Sequence, residues 1–584
     1  MQANPAGLTV AGGSVSVSQA GSQMIVQASH NAVLDWKSFN ILAGEATTFQ
    51  QPSAQSVVWN RIYDQNPSQI WGRLNANGFV VLMNQSGFYF GPNSVINVGG
   101  GPMWQFNGAP PTASIINYGQ VKVANGGALF LVAEKIENHG VLMAPDGTLG
   151  LYAGKEVLLS DSPDGRGLSV KVKLPEGSID NTGKLIADAG TIALRAQVVN
   201  QNGLVQANSI LDRHGVIELI ATEAVHLGAG SSIQARGDAT AVSRGGEITI
   251  KSDQTYADDP ASRISVAGGG QGGPGGAVEV SAASMAAIDS QIDGQAPAGW
   301  AGGQLLIDPA NIVIGTTTTR YKIPASGVVD STVKVVSEPL RLNINTSFKG
   351  FANITLQATH NISLDNNTVW NLSSSTGKSL AGSVLRLEAG KDIVFGDGSE
   401  IKTGLGWSVQ MAAGADFTAP LHVPLGATPG GIYFNGGPPD EFGNAPSGSG
   451  SLETADPHGD LTLVAASDVR VGSGHVRTVG GGSISITTRP GDLNSGDGNN
   501  WYDFTSVGYA VSPSGLDGIG TTAGGNVTLN AGRDLISVLP TVGAYGGGDV
   551  NLTAGRHILG RYLVSDGVGQ MTSRPQKKWG ILPA

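Results

Sequence analysis

The 584-residue sequence has no cysteine, few charged residues and no long apolar run. The lack of cysteine excludes a disulfide framework. It suits a chain that crosses an oxidising compartment unfolded, where a premature disulfide would block passage. Charged residues make up 14% of the chain, against about 25% in typical soluble domains. No apolar run approaches the roughly 18 residues of a membrane-spanning helix, so we expect no transmembrane segment.

The charge balance and the histidines exclude further classes of partner. The formal net charge is −11 and the isoelectric point is near 5.3. Nucleic acid requires basic protein surface, so we expect no nucleic-acid partner. The nine histidines are scattered, and neither an HExxH nor a CxxC spacing occurs. The sequence therefore predicts no metal site and no cofactor.

Glycine and apolar residues are abundant instead. The chain has 87 glycines, and 40% of its residues are hydrophobic, which is enough to fill a core. From residue 115 onward, several segments contain an Asn near a Gly and then a short apolar alternation. These segments are INYGQVKVANGGALFLVA, IENHGVLMAPDGTLGLYAG, IDNTGKLIADAGTIALRA and VNQNGLVQA.

The period of this repeat is about 21 residues. Its key glycines are Gly119, Gly140, Gly183 and Gly203, separated by 21, 43 and 20 residues, and we interpret the long interval as a double step. Apolar and polar residues alternate within each unit, which is the period of a strand. Units this short can bury an apolar face only by stacking on one another. We expect the four glycines to adopt positive φ at coil corners.

These features predict an all-β fold: a right-handed parallel β-helix with three short strands per coil, an N-terminal cap and protruding loops. A second repeat form in the C-terminal half shares an Ala-Gly-x-Asp-apolar corner, as in LEAGKDIVFGDG and LNAGRDLISV, and LTAGRHILG is a variant of it with His in place of Asp. The regularity breaks at residues 268–276, 419–459 and 488–520. We interpret these segments as loops that protrude from coils.

The N-terminal residues carry ordered motifs, and aromatic residues are concentrated there. The segments are ASHNAVLDWKSFNI (Ala28–Ile41) and SVVWNRIYDQNPSQIWGRLNANGFVVLMNQSGFYFGPNSVINVGG (Ser56–Gly100). They resemble the N-terminal haemagglutination activity and secretion domain of filamentous haemagglutinin-like exoproteins, which belong to two-partner secretion systems. One departure is that Asn84-Gln85-Ser86-Gly87 stands where the family usually has Asn-Pro-Asn-Gly. A second family motif, Asn-Pro-Asn-Leu, is missing.

The resemblance implies export through an outer-membrane barrel transporter of a Gram-negative-type bacterium. The implied product is secreted or associated with the cell surface, and acts as an adhesin on a host-cell or glycan receptor. Within the secretion domain we assign the secretion motif to Asn60, Arg61, Asn84 and Gly87.

We expect three regions along the chain. Residues 1–250 would hold the secretion domain with the cap and first coils, and residues 251–300 would hold Gly-rich coils and a loop. Residues 301–584 would hold further β-helix repeats with loop insertions, and we expect the native chain to continue beyond Ala584.

Two further motifs are candidate sites. Arg236, Gly237 and Asp238 form an integrin-type tripeptide, which we treat as a candidate receptor-binding site; the alternative is a turn with two solvated charges. Asn-x-Ser/Thr triplets, which are candidate glycosylation sites, begin at Asn345, Asn353, Asn361, Asn366 and Asn371. The alternative is that these residues stack as turn and strand positions of successive coils.

No set of residues predicts catalysis. Asp258 and Asp259 are adjacent, and adjacent strand residues point to opposite faces, so they do not form a carboxylate pair by themselves. We therefore expect no catalytic residues and no enzyme activity. Two alternatives stay open: the stalk of a larger contact-dependent toxin or cytolysin, and a polysaccharide-active β-helix enzyme. The enzyme would need acidic side chains on one exposed face of neighbouring coils.

Overall fold

The computed structural model describes residues 4–99, 113–154, 156–161, 168–173, 176–285, 287–317, 339–344, 348–372, 382–418, 428–498, 502–505, 508–511, 517–564 and 567–573. Within these residues, the elements with defined bounds are 55 β-strands. They belong to two compact units. The first consists mainly of Met1–Ala283 and Ile288–Gly303, and the second mainly of Gln304–Arg320 and Ser337–Ala584.

The strands of the first unit are Thr9–Gly12 (β1), Val15–Ala20 (β2), Gln23–Ala28 (β3), Ala32–Trp36 (β4), Ala46–Gln50 (β5), Val57–Ile62 (β6), Ser68–Ile70 (β7), Arg73–Ala76 (β8), Phe79–Asn84 (β9), Phe88–Phe90 (β10), Val95–Val98 (β11), Ser114–Asn117 (β12), Gln120–Val123 (β13), Ala128–Ala133 (β14), Lys135–Asn138 (β15), Val141–Met143 (β16), Thr148–Ala153 (β17), Glu156–Asp161 (β18), Leu168–Lys173 (β19), Ser178–Asn181 (β20), Lys184–Ile186 (β21), Thr191–Gln201 (β22), Leu204–Gln206 (β23), Val216–Leu227 (β24), Ser232–Gln234 (β25), Glu247–Asp258 (β26), Arg263–Ser265 (β27), Ala277–Met285 (β28) and Gln291–Asp293 (β29).

The strands of the second unit are Gly303–Asp308 (β30), Ile312–Gly315 (β31), Leu340–Asn343 (β32), Phe348–Lys349 (β33), Phe351–Ala358 (β34), Ile362–Leu364 (β35), Val369–Asn371 (β36), Ser383–Ala389 (β37), Ile393–Phe395 (β38), Glu400–Thr403 (β39), Trp407–Ala413 (β40), Ile432–Tyr433 (β41), Ser451–Thr454 (β42), Leu461–Ala465 (β43), Val469–Arg470 (β44), His475–Thr478 (β45), Ile484–Thr488 (β46), Leu493–Asn494 (β47), Tyr502–Thr505 (β48), Gly508–Val511 (β49), Gly518–Thr521 (β50), Val527–Ala531 (β51), Leu535–Ala544 (β52), Val550–Ala554 (β53), Ile558–Val564 (β54) and Gly569–Ser573 (β55).

The early coils of the first unit contribute one strand to each of three faces, and from β22 onward one long strand covers the third face of a coil and the first face of the next. In one coil β12, β13 and β14 follow one another, and β15, β16 and β17 of the next coil lie beside them in the same order. The strands β12 and β15, β13 and β16, and β14 and β17 all pair in parallel. The fold predicted from the repeats, a parallel β-helix with three strands per coil, is therefore confirmed.

Apolar side chains form ladders along the inside of the coils because alternate residues of each strand point inward. The face that contains β13 shows this clearly. Seven successive members of its central ladder are at most 3% exposed: Val121, Leu142, Leu185, Val205, Ile233, Ile264 and Ile292. Burial of each such side chain contributes about 1.5–3 kcal/mol, so core stability accumulates coil by coil.

The start of the first unit is built differently, as the concentration of aromatic residues predicts. Strand β1 lies antiparallel to β4, and β2 lies antiparallel to β3, whereas the strands that follow pair in parallel. Beneath them Trp36, Phe39 and Phe49 are fully or almost fully buried. The Trp36 ring packs edge-on against Phe39 with centroids 5.7 Å apart. This arrangement is the expected N-terminal cap.

A column of amides joins four successive coils at the corner after the first face. Asn117 donates to Asn138 Oδ1, Asn138 donates to Asn181 Oδ1, and Asn181 donates to Gln201 Oε1, each at 2.7 Å. All four side chains are completely buried. Each amide thus satisfies its neighbour, which explains why the sequence places Asn at the same point of each repeat.

The glycines of the 21-residue repeat are needed for a different reason from the one predicted. Gly119, Gly140, Gly183 and Gly203 do not have positive φ, so that expectation was wrong. A Cβ at Gly140, Gly183 or Gly203 would instead overlap the carbonyl oxygen of the repeat glycine one coil earlier. These positions exclude side chains because successive backbones approach closely there.

The interval of 43 residues is also explained differently. Strand β15 pairs directly with β20, and β16 pairs directly with β21, so no complete coil lies between them. An antiparallel hairpin of β18 and β19 is inserted instead. The interpretation of this interval as a double step was therefore wrong. A hairpin of alternating residues has the same local pattern as another coil, which is why the sequence alone suggested one.

The second unit has its own corner column of aspartates, one of which, Asp534, belongs to a predicted Ala-Gly-x-Asp corner. Asp468 Oδ1 accepts the backbone N–H of Asp492 at 2.8 Å, and Asp492 Oδ1 accepts that of Asp534 at 3.1 Å. Asp534 Oδ1 in turn accepts the backbone N–H of His557 at 3.1 Å. Arg533 pairs with Asp492 at 2.7 Å, so cations offset the stacked carboxylates.

Two of the three predicted loops are shorter than expected. Residues 268–276 lie between β27 and β28, as predicted. The segment 419–459, however, contains β41 and β42, which pair with β38 and β39 as coil strands. The segment 488–520 likewise contains the coil strands β47 and β50, with the antiparallel hairpin of β48 and β49 between them. Gly-rich composition concealed these short strands.

Candidate functional site

Asn60 lies in the middle of β6 and is completely buried. Its Oδ1 accepts the indole N–H of Trp36 at 2.9 Å, and its Nδ2 donates to the carbonyl of Val81 at 3.2 Å. Asn60 thus joins β4, β6 and β9 across three coils. A partner protein cannot contact this side chain in the folded domain, so its direct role is to hold the first coils together.

Arg61 occupies the next position of β6 and therefore points outward. Its guanidinium forms a two-pronged pair with Asp35, with Nε–Oδ1 at 2.6 Å and Nη2–Oδ2 at 2.9 Å. Hydrogen bonding to Asp35 raises the pKa of Arg61. The Arg61 side chain is 42% exposed. It is the most accessible of the four assigned secretion residues.

Asn84 and Gly87 are the ends of a tight turn between β9 and β10. The backbone N–H of Gly87 donates to the carbonyl of Asn84 at 3.1 Å, and the N–H of Ser86 donates to Asn84 Oδ1 at 2.8 Å. Asn84 Nδ2 donates to Ser68 Oγ at 2.9 Å. Gly87 has a φ of 94°, and a Cβ there would overlap the carbonyl oxygen of Ser114. The turn is therefore tight with Gln85 at the position where the family usually has proline.

Strand β2 presents an open edge at one end of the sheet that continues through β3, β5, β8 and β11. It pairs with β3 along its whole length, and no strand in the described part of the chain pairs with its other edge. Its sequence VSVSQA has no charge and no proline, and all residues but Val15 are exposed. An edge of this kind is a template for another strand because its outward N–H and C=O groups are unpaired. Strand β1 is shorter and carries a bulge between Val10 and Gly12.

The Arg-Gly-Asp tripeptide follows β25. Arg236 is exposed, but its Nε donates to Ser265 Oγ at 2.9 Å. Gly237 is buried, and Asp238 Oδ1 accepts both the N–H and the hydroxyl of Thr240 at 2.8 Å. Those hydrogen bonds lower the pKa of Asp238. The tripeptide forms a self-bonded turn, and receptor binding by it stays a prediction.

The Asn-x-Ser/Thr triplets have mixed environments. Asn345 lies outside the described residues, and Asn353 is half-buried in β34. Asn361, Asn366 and Asn371 are exposed. Asn361 Oδ1 accepts the N–H of Asp392 at 3.1 Å, and Asn366 Oδ1 accepts that of Asp397 at 2.9 Å. Stacking between coils therefore uses two of these amides, and modification of the exposed ones stays a prediction.

Asp258 and Asp259 serve the backbone separately. Asp258 is buried and accepts the N–H of Ser290 at 2.8 Å and the hydroxyl of Tyr256 at 3.0 Å. Desolvation raises the pKa of Asp258 in spite of these bonds. Asp259 Oδ1 accepts the N–H of Ala261 at 2.8 Å. The two carboxylates do not form a pair, as the sequence predicts.

Three residues that the sequence did not single out converge in the second unit. Glu400, Glu453 and His475 lie on β39, β42 and β45, and their ligand atoms all lie within 4.8 Å of one another. The sequence showed no motif because the coil period separates these residues. Aligning the strands SEIKT, SLET and HVRT by their final Thr would have placed them on neighbouring coils.

The charges around this cluster are balanced. Lys402 lies 3.1 Å from Glu400 Oε1, and Arg477 Nε lies 2.6 Å from Glu453 Oε2. Burial raises the pKa of Glu400, but the attraction of His475 and Lys402 outweighs it and leaves that pKa below its usual value.

Comparison with known proteins adds the family context. Residues 1–102 match the model of the TPS secretion domain family. A heme/hemopexin-binding protein of Haemophilus influenzae is 29% identical over 219 residues, which cover 34% of this chain and 24% of that protein. Another H. influenzae protein of the same name is 43% identical over 76 residues, covering 13% of this chain and 8% of that protein. The chain thus spans about a quarter or less of these relatives.

A solved structure also resembles this chain. The crystal structure of the HMW1 secretion domain from H. influenzae aligns with a TM-score of 0.48 and 21% identity, over 70% of this chain and 100% of that one. Within the described ranges, the chain has no helix that is long and apolar enough to span a membrane.

Proposed function

We propose, on the premise that residues 1–102 carry a TPS secretion domain, that this chain is exported through an outer-membrane barrel transporter and acts outside the cell as an adhesin. One observation carries the proposal. The matched residues contain the antiparallel cap and the first parallel strands, β1 to β11. The family match therefore falls on the part of the chain from which stacking of further coils can start.

A parallel coil suits export without an external energy source. Successive coils of the first unit bond to one another through their backbones, and four of them also bond through the buried amide column of Asn117, Asn138, Asn181 and Gln201. A formed coil can therefore template the next as it emerges from the transporter. The folded coils hinder backward movement because their burial is lost on unfolding.

For recognition by the transporter, we place the contact at the open edge of β2. Strand addition supplies backbone hydrogen bonds from a partner strand, and this edge lacks the charges, proline and bulge that normally prevent such pairing. In this scheme Asn60, Asn84 and Gly87 act indirectly by shaping the first coils, and Arg61 is the one assigned residue exposed enough for direct contact.

Co-expression with the transporter tests this scheme through the secreted fraction. Val17→Lys places a charge on the β2 edge, and Val10→Lys on β1 is the matched control because both valines are 42% exposed. We expect Val17→Lys to reduce export strongly and the control to export normally, while circular dichroism shows both purified domains folded. Equal export of the two variants would contradict docking at β2. Wild-type export that does not depend on the transporter would contradict the proposed function itself.

The secretion domain is proposed to extend from residue 1 to about 250 and to fold alone. Residue 250 lies within β26, so a fragment that ends there would cut a strand that pairs with β24. A fragment that ends after β27, at Ser265, completes the coil. We expect this longer fragment to be secreted and to unfold cooperatively.

Adhesion is tested by binding of the purified chain to host cells and to a glycan array. A second candidate is binding of heme or hemopexin, because two relatives carry the name heme/hemopexin-binding protein. Two assays separate adhesion from heme or hemopexin binding. One is a titration with heme that is followed by the heme absorbance, and the other is a pull-down with hemopexin. Saturable heme or hemopexin binding without cell binding would replace the adhesin assignment.

A further inference from the structure

The cluster of Glu400, Glu453 and His475 is built by the coil register of the second unit. Lys402 pairs with Glu453, and Glu453 pairs with Arg477, across β39, β42 and β45. These positions alternate with the inward ladder that contains Leu452, so their side chains leave the coil on its outer face. Three neighbouring coils thus bring two carboxylates and one imidazole together.

The imidazole is positioned between the carboxylates without bonding to either. His475 Nε2 lies 3.7 Å from Glu400 Oε1 and 3.9 Å from Glu453 Oε2, which is too far for hydrogen bonds. This nitrogen is shielded from solvent and has no hydrogen-bond partner. The His475 side chain is only 14% exposed, although it is on the outer side of a strand. A buried polar atom of this kind requires an explanation, and a bound ion is one of the accepted ones.

The spacing and the atom types suit a metal ion. Ligands about 2.0–2.2 Å from a tetrahedral ion lie roughly 3.4 Å from each other, so small side-chain movements would bring all three groups into a first shell. Imidazole together with carboxylate favours zinc or a similar transition metal, whereas calcium and magnesium prefer oxygen ligands alone.

The neighbouring cations are compatible with this site. Lys402 contacts Glu400 Oε1, and Arg477 contacts Glu453 Oε2. Lys402 thus contacts one oxygen of Glu400, and both Arg477 contacts with Glu453 are made to its Oε2. Ligating carboxylates commonly receive such outer hydrogen bonds, which fix their orientation. The two cations also offset the carboxylate charges, so we expect weaker affinity than in a closed structural zinc site.

We infer that Glu400, Glu453 and His475 form a binding site for a divalent transition-metal ion, with zinc as the best-matched ion. Such an ion would join three successive coils by their side chains, in addition to their backbone bonds. Metal binding would therefore stabilise the middle of the second unit by linkage to folding.

Isothermal titration of the tag-free, chelator-treated full chain with zinc chloride tests the site, and magnesium and calcium chloride serve as comparison probes. We expect one zinc per chain, no comparable response to magnesium or calcium, and a rise in melting temperature with zinc. His475→Ala should abolish binding. His458→Ala is the matched control because His458 is exposed and outside the cluster, and this variant should bind zinc normally.

Cobalt(II) absorption gives a second readout, since a tetrahedral site with an imidazole ligand produces intense visible bands that exchange-labile surface binding does not. If His475→Ala fails to fold, Glu400→Gln and Glu453→Gln replace it, because both keep the side-chain shape while weakening a ligand. Absence of zinc binding in the wild-type chain would overturn the inference. So would full binding by folded variants of the cluster, or loss of binding in His458→Ala.

Discussion

Replacement of Gly140 by alanine should destabilise the first unit by far more than an ordinary surface change. A Cβ at this position would overlap the carbonyl oxygen of Gly119 and would lie 2.9 Å from Asn117 Nδ2. Because φ is not positive there, the cost comes from contact with the previous coil and not from backbone strain. The overlap is removed only if the two coils separate locally by about 1 Å, because a close-packed interior has no spare volume.

The size of the stability loss can be estimated from the backbone hydrogen bonds between the two coils next to Gly140. The N–H groups of His139 and Gly140 donate to the carbonyl of Asn117 at 2.8 and 3.0 Å, and the N–H of Val141 donates to the carbonyl of Gly119 at 2.9 Å. Each weakened bond costs about 1 kcal/mol. We therefore expect Gly140→Ala to lower the free energy of unfolding by about 3 kcal/mol, and Gly140→Val to lower it further.

Urea unfolding of the secretion-domain fragment measures this effect, with Gly126→Ala as the control. Gly126 has a φ of 74°, but no atom lies within 4 Å of the position that a Cβ would take, so its substitution adds only the left-handed backbone cost of about 1–2 kcal/mol. If Gly140→Ala loses no more stability than Gly126→Ala, close approach between coils is not the reason for the glycine repeat.

Three other substitutions separate structure from recognition. Asn138→Ala interrupts the buried amide column: it removes the donor to Asn181 Oδ1 and one of the two acceptors of Asn117 Nδ2. Unfolding in urea should show a loss of about 2–3 kcal/mol, and a loss below about 0.5 kcal/mol would count against the column. Arg61→Ala removes an exposed ion pair and should change stability by less than about 1 kcal/mol, so a fall in export measured beside an unchanged melting temperature would assign Arg61 to recognition. Burial raises the pKa of Asp258 above its ordinary value of 3.8, so the folded state holds this proton more tightly than the unfolded chain does. The resulting stabilisation is complete below pH 3.8 and is lost as pH rises through the raised pKa. Asp258→Asn should flatten this part of the stability profile, and an unchanged profile would refute the assignment.

The candidate sites show which features residue patterns alone can predict. The motif around Asn84 and Gly87 predicts a tight turn with positive φ at Gly87, and the structure has it. The same motif does not reveal that Asn60 and Asn84 are buried, which moves their role from contact with a partner to support of the first coils. Burial depends on which strands cover a residue, and no local pattern states that.

The sequence by itself determined the architecture. Alternation with a period of two residues makes strands, and recurrence of Asn and Gly near every 21 residues makes stacked coils, because both are properties of the local backbone. Only the tertiary structure decided what lies between Gly140 and Gly183, where β20 stacks on β15 and the hairpin of β18 and β19 protrudes. It also decided that Glu400, Glu453 and His475 meet, although long stretches of sequence separate them. The register between coils depends on the length of every insertion and on packing between strands distant in sequence, so it is fixed only when the coils stack.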